Sequence, residues 1–169
     1  MFEIFGFKKE LSKKEEVEKL LLNAREVCEN LSYTELKKLD INSYAYSPQE
    51  AIEELGLDEE LVHQLLEDYV IQILKSINQF NLYIDMIRSS NNQTSDSSYV
   101  NLRELAHKNL GVARNLRIKD AEKILYILMK EDDLNHLEIC VKALQSCAIK
   151  LKPECAYDTL KLLKIKSNL

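Results

Sequence analysis

The chain has 169 residues, enough for one domain to bury a core without disulfide staples. Its 28 acidic against 23 basic residues give a net charge of −5, which argues against a nucleic-acid surface as the main business. Three glycines, two prolines and no tryptophan leave little turn chemistry for a β protein. The four cysteines (Cys28, Cys140, Cys147, Cys155) show no C-x-x-C pair and no metal-ligand spacing, so they read as reduced thiols on helix faces. No apolar run approaches the ~18 residues of a membrane span. The start, MFEIFGFKKE, is too short and too interrupted for a signal peptide, so a cytoplasmic location is expected.

In chain order, Ser12 and Glu15 make a capping box ahead of Val17, Leu20, Leu21, Ala24, Val27, Cys28 and Leu31, predicting an amphipathic helix over 13–31. A second box, Ser32 to Glu35, predicts a short helix ending near Leu39, and INSYAYS (41–47) reads as a connector. SPQE (47–50) offers an N-cap, a proline at the first helical position and a glutamate at N3, for a helix that stops at Gly56. Asp58 caps a long helix over 59–88, with Leu66, Val70, Ile73, Ile77, Phe80, Ile84 and Ile87 stepping by four and three along one seam. SSNNQTSDSS (89–98) has no periodicity and reads as a flexible loop. Helices over 99–116, 119–132 and 134–150 follow, and Pro153 starts a last one to about Ile165. No segment alternates at period two for long enough to make a strand. The expected fold is all-α: an up-down four-helix bundle over 47–169 with an N-terminal helical extension over 1–46.

No phosphate loop, metalloprotease motif, nucleophile elbow or calcium-loop spacing occurs. His63 and His136 stand alone among charged and polar neighbours and read as surface or edge residues. Attention falls instead on 102–116, LRELAHKNLGVARNL, where a helix carries a histidine and, four residues on, one of the three glycines. A glycine inside a helix costs roughly 1 kcal/mol relative to alanine, so something other than helix stability wants that position bare. With Leu102 at zero and about 100° per residue, Leu102, Leu105, Ala106, Leu110, Val112, Ala113 and Leu116 fall between about 280° and 80°, facing a core. His107 lands near 140°, Gly111 near 180°, Arg103 near 100° and Arg114 near 120°, while Lys108 points away near 240°. The bare glycine leaves a gap beside an exposed imidazole, and two arginines supply positive charge on the same strip. A neutral imidazole is a competent nucleophile near pH 7.

These residues resemble a known family. AHKNLGVARNLRI (106–118) is similar to the signature helix of histidine phosphotransfer (HPt) domains of two-component phosphorelays, through Ala106, His107, Gly111, Ala113, Asn115 and Leu116. EELGLDEELVHQLLEDYVIQ (53–72) resembles the helix that precedes that signature, so the likeness covers about 47–150 and leaves 1–46 outside. The resemblance implies a phosphocarrier, not an enzyme with autokinase activity. His107 would take a phosphoryl group from a histidine kinase or a response-regulator receiver domain and pass it to another receiver. Arg103 and Arg114 would neighbour the phosphate, and Gly111 and Leu110 would lie at the docking face. No cofactor of its own is implied, since the family leaves Mg²⁺ to the receiver; nor are a metal site, a membrane or a nucleic-acid partner. The family's lysine three residues after the histidine is Leu110 here, with Arg103 and Arg114 placed to substitute. That departure keeps a second reading open, a helical adaptor that binds a receiver or kinase without carrying phosphate.

Overall fold

The computed structural model describes residues 2–90 and 96–167, with side chains described over 12–90 and 99–166. Its elements are all helical: α1 (Phe2–Leu31), a 3-10 turn (Glu35–Leu39), α2 (Gln49–Leu55), α3 (Glu59–Ser89), α4 (Asp96–Asn115), α5 (Lys119–Lys130), α6 (Leu134–Leu151) and α7 (Pro153–Ser167).

Two of the caps read from the sequence act as expected. Asp58 Oδ1 accepts from the Leu61 N–H at 2.7 Å to open α3, and Gly56 closes α2 in the left-handed conformation (φ 64°), donating its N–H to Ile52. Two expectations need correction. The Ser12 box does not start α1, which runs through it from Phe2, because the surrounding Lys, Glu and Leu are good helix formers with no proline among them. The second box also fails. Ser32 Oγ donates back to the Glu29 carbonyl, and Thr34 supplies the cap to the Leu36 N–H at 3.3 Å, so only a 3-10 turn forms. The 89–98 loop is shorter than expected, because α4 begins at Asp96; 91–95 lie outside the described residues.

Helices α3, α4, α5 and α6 form a closed ring in which each packs on the next and α6 packs back on α3. Side-chain pairs show that α4 runs antiparallel to α5 and α3 antiparallel to α6, and the short 131–133 connector turns α6 back along α5. Tyr99 and Arg103 near the start of α4 meet Asp132 just past the end of α5, while Arg114 near the end of α4 meets Glu122 near the start of α5. Arg88 at the end of α3 pairs with Glu138 at the start of α6 (2.5 Å), and Lys152 just past α6 reaches His63 near the start of α3. This is the up-down bundle that short connectors favour. The apolar seam of α3 is buried from Leu66 to Ile87, with Phe80 fully enclosed.

The N-terminal segment is built into this core. α1 packs on α6 and α7, and Ala24, Cys28, Leu36 and Ile41 are buried in the same cluster as the seam of α3. Helix α6, touching α1, α3, α5 and α7, buries Leu137, Cys140, Val141, Ala143, Leu144, Ser146, Cys147, Ala148 and Ile149, so it is apolar almost all round. The connector 41–47 is a strap rather than a passive link. Tyr46 Oη donates to the Leu116 carbonyl at 2.7 Å, and Tyr44 Oη accepts from the Lys119 N–H at 3.0 Å, clamping the α4–α5 corner. At that corner Arg117 is left-handed (φ 60°), a conformation costing roughly 1–2 kcal/mol for a residue with a Cβ. Its guanidinium compensates by bonding the Arg114 carbonyl at 2.6 Å and pairing with Glu54 and Glu50. No described helix is long and apolar enough to cross a membrane.

Candidate functional site

The site begins with the rotation of α4 about its own axis. Leu102, Ala106, Leu110 and Ala113 are buried, and among them sits one polar side chain, Asn109, also fully buried. Asn109 Oδ1 accepts from Gln72 Nε2 at 3.0 Å, while its Nδ2 donates to Leu105 O at 2.9 Å and to Ser76 Oγ at 3.3 Å. Ser76 Oγ in turn donates to the Gln72 carbonyl at 2.8 Å. A buried amide left unpaired would cost about 1–3 kcal/mol, so this network resists any turn of α4 against α3. Asn109 is thus a positioning residue. Its signal was in the sequence: at about 100° per residue it falls near 340°, the middle of the apolar arc, where a polar residue needs partners.

With Asn109 inward, His107 points outward. His107 is exposed and makes no hydrogen bond or ion pair among the described residues. It lines a shallow depression with Val100, Arg103, Glu104, Lys108 and Met129, in which Val100 is 47% exposed and supplies apolar surface. Gly111, one turn along, is exposed, and a Cβ built on it would meet nothing within 4 Å. Tight helix packing therefore does not account for the glycine.

The charges around His107 differ from the sequence reading. Arg103 does share the depression, but its Nη2 is bonded to Asp132 and its guanidinium lies over the Tyr99 ring, 5.3 Å from the centroid. Its Nε is buried without an acceptor. Arg114 is not brought to His107. Two turns further on, it pairs with Glu122 at 3.4 Å and lines a separate depression with Tyr126 and Lys119. Lys108, set aside because its Cα–Cβ bond points elsewhere, lines the same depression as His107, because its four-carbon stem sweeps round the helix. Leu110 requires the firmest correction: at 1% exposed it belongs to the core and offers no docking surface.

The remaining histidines are engaged rather than alone. His63 Nδ1 lies 3.0 Å from Lys152 Nζ, and His136 Nδ1 lies 2.9 Å from Glu35 Oε2, its side chain only 13% exposed. All four cysteines are free thiols, three of them buried. Among the described residues no group of His, Cys, Asp or Glu is placed to hold a metal ion. Comparison with protein-family models, with curated proteins and with solved structures gives no match.

Proposed function

We propose that this protein is a phosphocarrier of the histidine phosphotransfer type, with His107 as the phosphorylated residue. The observation that carries the reading is the pairing of an exposed, unpartnered imidazole with an open glycine one turn away, on a helix whose rotation is locked from beneath. In the reaction a ring nitrogen of His107 attacks the phosphorus of a receiver's aspartyl phosphate. A P–N bond forms, the P–O bond to the aspartate breaks, and the carboxylate leaves with the electron pair. The imidazole proton on the other nitrogen is released as the phosphohistidine becomes neutral at the ring. A divalent ion held by the receiver would offset charge on the phosphoryl oxygens, so this chain's part is positioning. Incubation with phosphorylated receiver domains should give acid-labile, base-stable phosphate on the protein; its absence across a panel of receivers would refute the phosphocarrier reading.

Two substitutions probe the surroundings. Lys108→Ala is expected to slow transfer more than Arg114→Ala does, because Lys108 borders His107 and Arg114 does not; equal rates for the two variants would contradict this placement. At Gly111 stability and function should move apart. Gly111→Ala should stabilise the isolated protein by up to about 1 kcal/mol, since the new Cβ meets open space. Gly111→Gln should fold well yet fill the gap beside His107 and lower receiver affinity. Urea melts and a binding titration on that variant decide the matter: unchanged affinity would remove the docking role of the glycine.

The adaptor reading draws on a specific observation as well. A buried leucine stands where the resemblance expects a lysine, and both arginines are already paired with acids. An adaptor would bind a receiver stoichiometrically while His107 stays unphosphorylated, which the same incubation detects.

A further inference from the structure

Well away from His107, a cavity of about 360 Å³ opens between α1, the 41–47 strap, the start of α3, the start of α5 and the end of α6. None of its lining residues borders the depression at His107. Its size sits at the lower end of the range for small-molecule sites, roughly 300–1,000 Å³. Its walls combine an apolar part, including Leu21, Leu66, Ile118 and Leu151, with charged groups of predominantly one sign. Arg25, Lys150 and Lys152 are the cations and Asp120 is the lone carboxylate, with His63 beside Lys152. In a chain with more acids than bases, three cations against one acid on a single cavity wall run counter to the overall charge.

These cations retain donors to offer. Lys150 Nζ gives one hydrogen bond, to the Ile41 carbonyl at 2.9 Å, and Lys152 Nζ gives one, to His63 Nδ1 at 3.0 Å; an ammonium has three. Asp120 is only 6% exposed, with one oxygen accepting from the Ala121 N–H at 2.6 Å. Burial raises its pKa, and the Ala121 N–H and the nearby Lys150 act in the opposite direction. The Tyr44 and Tyr46 hydroxyls that line the strap side are committed to backbone groups of the α4–α5 corner, so that wall is already ordered before any ligand arrives.

We propose that this cavity binds a small organic anion, with a body about the size of one aromatic ring against the apolar wall and a carboxylate or phosphate head toward Arg25, Lys150 and Lys152. The site is independent of phosphotransfer at His107.

The test uses the full-length protein with phenyl phosphate and benzoate as probes and benzamide as the neutral control, read by titration calorimetry and by the shift in melting temperature. At least one anion should bind with a dissociation constant of about 1 mM or tighter and raise the melting temperature, while benzamide does neither. Preference between the two anions identifies the head group. The Arg25→Met, Lys152→Met double variant should lose affinity tenfold or more while still unfolding cooperatively without ligand, since it gives up only the Lys152–His63 contact and keeps the Lys150 contact to Ile41. His107→Gln should bind the anion as the wild type does. Failure of both anions to bind, binding of benzamide equal to theirs, or wild-type affinity in the double variant would each overturn the proposal.

Discussion

His107→Gln should abolish phosphate uptake completely while moving the melting temperature by no more than about 2 °C. The first half follows from chemistry: a glutamine amide has no ring nitrogen to form the P–N bond, and no other exposed histidine lies on α4 to replace it. The second half follows from surroundings. His107 makes no hydrogen bond or ion pair among the described residues, and glutamine is a good helix former. Exposed substitutions of this kind usually stay within about 0.5 kcal/mol, which in a chain of this size is a shift of about 1–2 °C. Phosphate uptake from a labelled receiver and a thermal melt on the same preparation check both halves. A variant that still acquires acid-labile phosphate would move the reacting group elsewhere.

Removing residues 1–46 should have an equally large effect, on folding instead of chemistry. Leu36 and Ile41 are fully buried, and at about 1.5–3 kcal/mol for each large apolar side chain their loss alone forfeits roughly 3–6 kcal/mol. Typical domain stability is only about 5–15 kcal/mol. The deletion also strips Ala24 and Cys28 from the shared core and uncovers the side of α6 on which α1 rests. It further cuts the strap that clamps the α4–α5 corner through Tyr44 and Tyr46. The 47–169 fragment should bind a hydrophobic dye and lose a cooperative urea transition, whereas the full chain should unfold in one step. A fragment that melts cooperatively with near-native stability would make 1–46 a true appendage.

That result bears on how much could be read from the sequence. Local signals were dependable where a side chain acts on its own backbone: Asp58 at the start of α3, Gly56 at the end of α2, Pro153 at the start of α7. The seam of α3 was equally plain, because a three-and-four spacing sustained without glycine or proline admits one regular structure. What escaped was anything that depends on a distant partner. The packing of α1 on α6 rests on residues more than a hundred positions apart, and nothing in an amphipathic stripe names the surface that covers it. INSYAYS lacks helical periodicity and so looks like a link, yet its two tyrosines reach groups about seventy residues downstream. For the candidate site, a helical wheel put His107 and Gly111 outward and Leu110 on the core-facing arc, and Leu110 is indeed inside; it was the resemblance that set Leu110 at a docking face. The wheel misplaced Lys108, since it tracks Cβ direction and ignores where a long stem ends.

The enclosure of α6 by helices drawn from both ends of the chain has a consequence for how the molecule opens. A helix packed against four others, with Lys142 and Asn135 among its few exposed residues, can expose its buried-face amides only when several neighbours detach together, so those protons should exchange with solvent near the rate set by global unfolding. α4, buried on its inner face but carrying His107 on an open one, is less enclosed. Its outward amides can exchange through local fraying that leaves α6 untouched. A deuterium-exchange map would then show protection graded from the centre of the bundle outward, the slowest amides on α6 and markedly faster ones around His107. The surface offered to a partner would be softer than the scaffold that holds it.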